Sequence, residues 1–520
     1  MLFNSYPFLL VFLPAVIAVF LLAARAGNQI RLGVLLAASL LFYAWWDVRF
    51  LALLGASIVV NYQLSCILTR AIERDDQRRA TRLLTMGVVF NLVTLGVFKY
   101  ANFFVGNVNA LTGAHIHLAA IILPLGISFF TFEQIGYLVD IRRGHLYRAD
   151  LLRYAVFVSF FPRLVAGPIL RYSEIGPQLD FSARRETRTH DVAVGLTIFA
   201  FGLFKKVVLA DGIAPFASTA FTSAATGPLD LLQSWGGVLA YTFQLYFDFS
   251  GYSDMAIGAA RCFGIVFPMN FNSPYKSASI IEFWRRWHIT LSRFLRDYLY
   301  ISLGGNRQGP ARRYANLLAT MLLGGLWHGA NWTFVMWGAL HGSYLIVNHG
   351  WRAMATRNPV LNRFQGTRAG HVLAVGVTFI AVMVAWVFFR APDIHTGFSI
   401  LASMIGIHGV VLPDGLAFLF RDHAQTLARF GVTLGDASTT QLIKMYGWIA
   451  VLLAVSMFAP NTQEILARFT PTLEACPEQA PAHKRFVWSL APRYAVAGGA
   501  LAFVALIAIT RVSEFLYWQF

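Results

Sequence analysis

Cysteine is scarce in this chain, and its few positions are far apart. Cys66, Cys262 and Cys476 have none of the close spacings that disulfide frameworks or zinc sites need. Charged residues are also few, at 13% of 520 residues, and the sequence contains no internal repeat or low-complexity tract. These absences argue against a disulfide-rich secreted domain, a metal site, a repeat protein and a soluble domain of ordinary composition.

The sequence is rich in long apolar runs. Hydrophobic residues make up 57% of the chain, and the mean hydropathy is +0.58. A helix needs about 20 apolar residues to cross about 30 Å of hydrocarbon, and such runs recur along the whole sequence. We predict an all-α polytopic integral membrane protein with about 11–12 transmembrane helices. The expected spans are 7–24, 32–46, 50–69, 83–104, 118–139, 192–212, 231–250, 314–331, 333–349, 371–389, 446–460 and 494–510.

The basic charge is distributed as in a membrane protein. The net charge of +17 would suit a nucleic-acid-binding protein, but if the N-terminus is outside, the inner segments hold 33 of the 42 Lys and Arg. This is the positive-inside pattern, so we expect membrane lipid as a partner and no nucleic acid. No Lys or Arg precedes the first apolar run, which predicts a retained first helix. We therefore expect a single multi-pass domain over 1–520 in the cytoplasmic, or inner, membrane.

One apolar run is expected not to cross the membrane. If Leu152–Leu170 crossed, Arg171 and the arginines that follow it would lie outside, against the positive-inside pattern. Pro162 and the Gly167-Pro168 pair would also interrupt a straight helix. We predict a re-entrant or interfacial segment here.

A histidine lies within strongly apolar sequence near the middle of the chain. His328 belongs to the segment 324–332, where an imidazole is costly unless it has a partner or a function. A neutral imidazole can remove a proton from a hydroxyl group near pH 7. Isolated membrane histidines more often bridge helices by a hydrogen bond, so both roles are open on this observation alone.

A second histidine follows a cluster of arginines. A helix through Glu282–Tyr300 would place Arg285, Arg286, Arg293 and Arg296 within roughly a 100° arc and His288 on the opposite, apolar side. Such a helix would lie at the cytoplasmic interface with its arginines toward headgroups or an anionic ligand. For the arginines alone, a juxtamembrane anchor is the simpler interpretation.

Several motifs resemble the membrane-bound O-acyltransferase family, in the bacterial branch that includes the alginate O-acetylation and teichoic-acid D-alanyl transfer proteins. The motifs are Glu282-Phe283-Trp284-Arg285-Arg286-Trp287-His288, Arg296-Asp297-Tyr298, Leu303-Gly304-Gly305-Asn306-Arg307, Trp327-His328-Gly329, Trp332, Trp337-Gly338, Phe247-Asp248-Phe249-Ser250-Gly251-Tyr252-Ser253-Asp254, Phe204-Lys205-Lys206, Leu123-Pro124-Leu125-Gly126, Ala166-Gly167-Pro168-Ile169 and Met1-Leu2-Phe3-Asn4-Ser5. The resemblance extends along the whole chain and is strongest to its alginate O-acetyltransferase-like members.

The resemblance implies acyl transfer through the membrane. An acyl group, most simply acetyl, would come from a cytoplasmic thioester such as acetyl-CoA, which is a substrate and not a bound cofactor. The acceptor would be a hydroxyl of an exported polysaccharide, reached through an extracytoplasmic SGNH-hydrolase-like acetyltransferase partner. In the family the residue matching His328 is catalytic, and the one matching His288 is the second polar residue of the core.

Other residues are expected to support this chemistry. The candidates for binding the donor phosphates are Lys205, Lys206, Arg285 and Arg286. The candidates for supporting the core are Asp248, Asp254, Trp327 and Asn331. The two lysine stems could equally extend to the interface, and Arg261 is a candidate partner for the two intramembrane carboxylates. We expect His341 and His349 to be interfacial.

The end of the sequence carries a further acyl-acceptor candidate. The terminal Phe515-Leu516-Tyr517-Trp518-Gln519-Phe520 is similar to an aromatic motif of this branch, in which a terminal tyrosine is proposed to take the acyl group. A phenol at Tyr517 would suit that role, whereas an aromatic belt at the outer interface is the structural alternative. A polytopic transporter or a scaffold subunit of a polysaccharide export complex is the alternative for the protein as a whole.

Overall fold

A computed structural model describes residues 1–119, 121–146, 148–181, 188–416, 424–429, 431–435, 438–473, 487–489, 491–509, 513 and 515–516. In this part of the chain the structure is helical apart from one small sheet. The α-helices are α1 Leu13–Leu22, α2 Asn28–Ala44, α3 Arg49–Glu73, α4 Gln77–Leu95, α5 Ala101–Thr112, α6 Ile127–Arg142, α7 Leu151–Ser159, α8 Tyr172–Ile175, α9 Arg188–Phe204, α10 Asp211–Ala224, α11 Leu231–Cys262, α12 Ile280–Arg286, α13 Ile289–Phe294, α14 Gly309–His328, α15 Trp332–Arg357, α16 Pro359–Gln365, α17 Arg368–Arg390, α18 Ile394–Met404, α19 Ala424–Arg429, α20 Thr439–Phe458, α21 Thr462–Ile465 and α22 Pro492–Ala508.

The chain forms two compact units from interleaved segments. The first unit contains Met1–Phe204, Gly251–Asn270 and the described residues from Thr462 onward. The second contains Lys205–Ser250 and Phe271–Asn461. Each unit therefore combines segments that are far apart in the sequence. The single membrane domain expected over the whole chain stays a prediction.

The multi-pass helical architecture predicted from the sequence is confirmed. Each of the twelve predicted spans overlaps a helix, although the span predicted at 118–139 begins too early, because its helix starts only at Ile127. Within the described residues, six helical segments are long and apolar enough to cross a membrane. They are Pro7–Arg25, Arg49–Glu73, Gln77–Thr112, Thr189–Ala224, Arg368–Arg390 and Thr439–Phe458.

The segment predicted not to cross is interrupted, as its prolines and glycine indicated. Helix α7 has nine residues, or about 14 Å at 1.5 Å per residue, and cannot span about 30 Å of hydrocarbon. The irregular chain from Phe160 to Leu170 is buried throughout. Arg163 in this segment forms a fully buried ion pair with Glu133 of α6, whose Oε1 also accepts a hydrogen bond from the Leu170 amide at 3.1 Å. These contacts give irregular backbone the partners that lipid does not offer.

An aromatic core fills part of the first unit. Phe8 lies at its centre, with ring centres 4.7 Å from Phe3, 6.0 Å from Phe42 and 6.2 Å from Phe161. These side chains are all buried. The N-terminal motif noted in the sequence is therefore part of the packed interior of this unit.

In the second unit, α14 and α15 form a closely packed hairpin. A Cβ atom at Gly325 would collide with the carbonyl oxygen of Phe334, and one at Gly338 would collide with that of Met321. Small residues let two membrane helices approach until their backbones touch. This close approach determines where the turn between the two helices, and the residues on it, are held.

A small sheet lies in the described chain between α18 and α20. Strands β1 Val410–Pro413 and β2 Val432–Gly435 pair in parallel, with Val410 opposite Val432. Parallel pairing needs a crossover connection, and α19 lies between the two strands.

Candidate active site

His328 is positioned by the turn between α14 and α15. It is the last residue of α14 and is 4% exposed. Asn331 caps the next helix, because its Oδ1 accepts a hydrogen bond from the Thr333 amide at 3.0 Å. Its Nδ2 donates to the Pro392 carbonyl at 3.1 Å. The expected supporting role of Asn331 is thus a cap that holds the turn carrying His328.

The continuous helix predicted over Glu282–Tyr300 is wrong. Helix α12 ends at Arg286, His288 adopts a left-handed backbone with φ of 42° and ψ of 53°, and α13 begins at Ile289. A left-handed residue other than glycine costs roughly 1–2 kcal/mol. The break turns both Trp287 and His288 into the interior, where they are 1% and 0% exposed.

The strained backbone at His288 is held in place by contacts around it. Backbone strain of this kind persists only where surrounding contacts enforce it, and it concentrates at functional sites. Here the Asn272 amide donates to the Arg286 carbonyl at 2.8 Å, which fixes the point where α12 ends. An uninterrupted helix would satisfy its own backbone instead, and nothing in the residue pattern distinguishes the two outcomes.

The two histidines expected at the core come together in the second unit. The ring centres of His288 and His328 are 6.5 Å apart. A hydrogen bond needs its heavy atoms within about 3.2 Å, so rings at this separation do not bond to each other directly. The pair thus lies at a spacing at which one small group between the rings can contact both.

Aromatic side chains surround both imidazoles. The ring centre of His288 is 4.7 Å from that of Phe249. That of His328 is 4.9 Å from Trp327, 5.0 Å from Trp337 and 5.2 Å from Phe389. Trp327, expected to support the core, therefore packs directly on His328.

Sequence reasoning missed Phe389 and did not assign Phe249 a role of its own. Phe249 was visible only as a letter within the motif around Asp248, and Phe389 lies near the end of α17 with no motif around it. The only signal for Phe389 was its position in a predicted span. Contact across helices distant in sequence cannot be read from such a signal.

Asp248 and Lys206 belong to a buried ion cluster in the second unit. Lys206 Nζ lies 2.5 Å from Asp248 Oδ1 and 2.8 Å from Asp211 Oδ1, and Lys206 is only 3% exposed. Asp211 was not singled out in the sequence. An ammonium compensated by two carboxylates is a poor ligand for phosphate, which favours an internal pairing role for Lys206 over donor binding. Lys205 is half-buried.

Asp254 lies in the first unit, although it is only six residues after Asp248. Its Oδ2 accepts from Thr462 Oγ1 at 2.6 Å, and its Oδ1 accepts from Gln463 Nε2 at 3.0 Å. The expected partner Arg261 was wrong, because Arg261 pairs with Asp191 at 2.9 Å. Asp254 thus links α11 to α21 within the first unit.

The two arginines proposed for donor binding have different surroundings. Arg286 is bonded to Glu282, with Nη2 2.8 Å from Oε1, and also to the Asn272 carbonyl at 3.3 Å. Arg285 is exposed and has no hydrogen bond or ion pair among the residues that the structure describes. Arg285 is therefore the more accessible of the two for an anionic ligand.

The interfacial position expected for His341 is wrong. His341 is 0% exposed and lies within the aromatic core of the second unit. His349, two turns later on α15, is half-buried, and its ring nitrogens are 2.8 and 2.9 Å from Arg313 Nη2. Tyr517, the acyl-acceptor candidate, lies outside the described residues.

Comparison with known proteins gives the same family as the motifs. Residues 80–389 match the sequence profile of the membrane-bound O-acyltransferase (MBOAT) family. A peptidoglycan O-acetyltransferase of Helicobacter pylori is 44% identical over 441 residues, covering 79% of this chain and 81% of the relative. A probable alginate O-acetylase of Azotobacter vinelandii is 44% identical over 425 residues, covering 80% of each.

More distant relatives extend the same relationship. A teichoic acid D-alanyltransferase of Streptococcus thermophilus is 29% identical over 280 residues, which is 51% of this chain and 68% of the relative. The profile match, together with the large share of the chain that the 44% identical relatives cover, shows the family to which the chain belongs. This chain is an O-acyltransferase of the membrane-bound O-acyltransferase family, in its alginate O-acetyltransferase-like branch.

Proposed function

We propose that this protein transfers an acyl group, most simply acetyl, from a cytoplasmic thioester such as acetyl-CoA toward an exported polysaccharide, with His328 as general base. The names of the relatives support the acceptor class, because they act on alginate and peptidoglycan. The observation that carries the proposal is the pair of buried imidazoles, His288 and His328, held 6.5 Å apart by a helix turn and a helix break.

The chemistry of the proposed transfer balances without a cofactor. A neutral His328 takes the proton of the acceptor hydroxyl, whose oxygen then bonds to the thioester carbonyl carbon. The carbon–sulfur bond breaks, and the proton moves to the departing thiolate. His288 hydrogen-bonds the same reacting group from the other side. A positioned base of this kind contributes about 10²–10⁴ in rate.

The surroundings of the pair are suited to this reaction. Both imidazoles are packed by aromatic rings and excluded from solvent. Exclusion of water strengthens hydrogen bonds to a developing oxyanion and limits hydrolysis of the thioester. On the donor side, the exposed Arg285 is the phosphate-binding candidate that we retain, together with Lys205.

The route beyond the membrane also forms part of the proposal. We place the protein in the inner membrane and assign the final delivery to an extracytoplasmic SGNH-like acetyltransferase. Tyr517 is retained as the residue that takes the acyl group after His328 has activated its phenol. A Tyr517→Phe variant that acetylates polymer at the wild-type rate would remove this last step and leave the rest intact.

The test is polymer acetylation by a His328→Ala variant. We expect acetylation to fall by about 10²-fold or more, while the protein still inserts and retains its thermal unfolding temperature in detergent. A His371→Ala variant, at an exposed position of α17, is the matched control and should acetylate normally. Normal acetylation by the His328→Ala variant would contradict the role of His328 as general base.

A further inference from the structure

His341 is a buried imidazole in the second unit that the proposed acyl transfer does not use. It lies on α15, one helical turn after Trp337. Neither its Nδ1 nor its Nε2 has a hydrogen-bond partner among the described residues, and the side chain is 0% exposed. A polar group in this state costs roughly 1–3 kcal/mol compared with a partnered one.

Two tryptophans beside His341 also have buried ring nitrogens without a hydrogen-bond partner among the described residues. The ring centre of His341 is 4.7 Å from Trp337 and 5.2 Å from Trp284, and the two indoles are 5.8 Å apart. We call these three side chains the indole–imidazole cluster. Both indole Nε1 atoms are buried and without a hydrogen-bond acceptor in the described part of the chain. Three rings in mutual contact therefore present four polar atoms with nothing bonded to them.

Packing alone does not account for the cluster. Phenylalanine side chains in these positions would fill the space without four unsatisfied polar atoms. Protein interiors satisfy the great majority of their buried polar groups, and each exception needs an explanation. The cluster is therefore arranged to bond a polar group that comes from outside the chain.

The chemistry of the cluster selects the kind of group. Two indole N–H groups and one imidazole N–H donate, and the other imidazole nitrogen accepts. A secondary amide complements this set, because its carbonyl oxygen accepts two hydrogen bonds and its N–H donates one. An ionised group is a poor match, since the rings nearest to the cluster, which include Phe283 and Trp386, are uncharged.

The cluster lies next to the catalytic candidate. Trp337 contacts both histidines, with its ring centre 5.0 Å from His328 and 4.7 Å from His341. His341 is four residues further along α15, or about 6 Å along the helix axis. It is thus closer to the end of the ninth predicted span, 333–349, which is the inner end if the N-terminus is outside. We propose that the indole–imidazole cluster binds a secondary amide of the acyl donor's arm. In pantetheine thioesters the first such amide is two methylenes from the sulfur.

This inference rests on the proposed function, because it takes a cytoplasmic thioester as the donor. The test compares two donors in inverted membrane vesicles that contain the full chain, its partners and the acceptor polymer. One donor is the acetyl thioester of N-acetylcysteamine, which keeps one secondary amide. The other is S-pentyl thioacetate, in which methylene groups replace the amide. The measured quantity is the ratio of their rates of labelled acetyl transfer to polymer at low donor concentration.

We expect the wild-type protein to prefer the amide donor by about tenfold, the value of roughly one net hydrogen bond. His341→Phe should bring this ratio toward one, whereas His341→Gln, which can still donate and accept, should keep most of the preference. His349→Phe, two turns along the same helix, is the control and should keep the full ratio. If His341→Phe does not fold, Trp284→Phe removes one N–H with an aromatic ring retained and should lower the ratio by a smaller factor.

A ratio that His341→Phe or Trp284→Phe leaves at the wild-type value would overturn the inference. In that case the cluster holds a structural water or a group unrelated to the donor. Wild-type vesicles that use both thioesters without preference would overturn it equally. If His328→Ala vesicles transfer labelled acetyl groups as fast as wild-type vesicles, the proposed function itself fails and the inference fails with it.

Discussion

In the first unit, the buried amide side chains of α3, α4 and α6 have hydrogen-bond partners on neighbouring helices, whereas the buried imidazole of His341 in the second unit has none in the described chain. Asn61 and Asn91 exchange hydrogen bonds of 3.3 and 2.6 Å. Gln134 donates to Ser57 at 2.8 Å and accepts from Tyr154 at 3.1 Å. We call these five residues the amide network.

The difference shows how to interpret polar residues inside a membrane protein. Both regions place polar side chains where lipid or protein surrounds them and water does not, and both appear from sequence alone as costly exceptions. The amide network satisfies its own groups, so its role is to pack helices. The indole–imidazole cluster leaves four atoms without a partner in the described residues, so its role depends on something that binds there. We make five predictions, from the largest expected effect to the smallest, and the fourth tests this distinction directly.

The largest effect is expected at the catalytic candidates of the second unit. His288→Asn should lower polymer acetylation by about 10²-fold or more. Asparagine tolerates the left-handed backbone of this position, so the thermal unfolding temperature should stay close to that of the wild type. Measuring acetylation and the unfolding temperature together separates a catalytic role from a structural one. If the variant loses its activity only because its unfolding temperature falls, His288 has a structural role.

Breaking the buried ion pair of the first unit should have the opposite signature. Arg163→Met leaves Glu133 buried and uncompensated, which costs about 3–5 kcal/mol. The half-exposed pair of Arg153 and Asp150, at 3.5 Å, provides the control. Arg153→Met should change the unfolding free energy by less than about 1 kcal/mol. Denaturant unfolding in detergent measures both, and equal effects of the two substitutions would contradict the importance of burial.

The close approach of α14 and α15 predicts a difference between two glycines of one helix. Gly338→Ala places a methyl group against the Met321 carbonyl and should cost about 1–3 kcal/mol. Nothing lies within 4 Å of a Cβ atom at Gly350, so Gly350→Ala should be neutral or stabilising by up to about 1 kcal/mol. Thermal unfolding of the two variants distinguishes them. Similar unfolding temperatures would mean that the hairpin relaxes around the added methyl group.

The amide network and the indole–imidazole cluster should respond in opposite directions to an apolar substitution. Asn91→Leu leaves Asn61 without its partner and should destabilise by about 1 kcal/mol, and adding Asn61→Leu should recover part of the loss. His341→Phe removes two unsatisfied atoms and should leave stability unchanged or raise it by up to about 1 kcal/mol in the absence of donor. Thermal unfolding without donor checks both. A destabilised His341→Phe variant would mean that its imidazole bonds a structural water.

The smallest effect concerns a helix cap between α17 and α18. A hydrogen bond from the Thr396 amide lowers the pKa of Asp393. Its contribution to stability is therefore present above the unfolded-state pKa of about 3.9 and is lost as pH falls through the lower folded-state pKa. Asp393→Asn keeps the cap, so it should match the wild type near pH 7 and lose less stability in acid. Unfolding temperatures between pH 7 and pH 3 test this, and parallel pH curves would contradict it.

Much of the fold was predictable because its signals are local. The predicted spans each overlap a helix, and Pro162 with Gly167-Pro168 marked the interruption after α7, since run length and backbone restriction belong to neighbouring residues. The start of α6 was misplaced because the chain before Ile127 is apolar without being helical. The small parallel sheet was not predicted, since its strands are short and pair across a connection.

The site was predictable only in part. The family motifs pointed to His328 and His288, and the structure brings their rings together. The helical periodicity over Glu282–Tyr300 gave a wrong prediction of one continuous helix. An amphipathic pattern cannot show that buried contacts force a break at His288. The partner of Asp248 was missed for a similar reason, since Lys206 and Arg261 are equally suitable by charge.

By itself, the sequence determined that this chain is a multi-pass helical protein of the acyltransferase family, because hydrophobic length, loop charge and contiguous motifs are properties of neighbouring residues. Only the tertiary structure decided that His288 leaves its helix to face His328, that Lys206 is enclosed by carboxylates and that His341 is buried among indoles. These outcomes depend on packing between helices that are distant in sequence, where burial sets the cost of every unsatisfied polar atom.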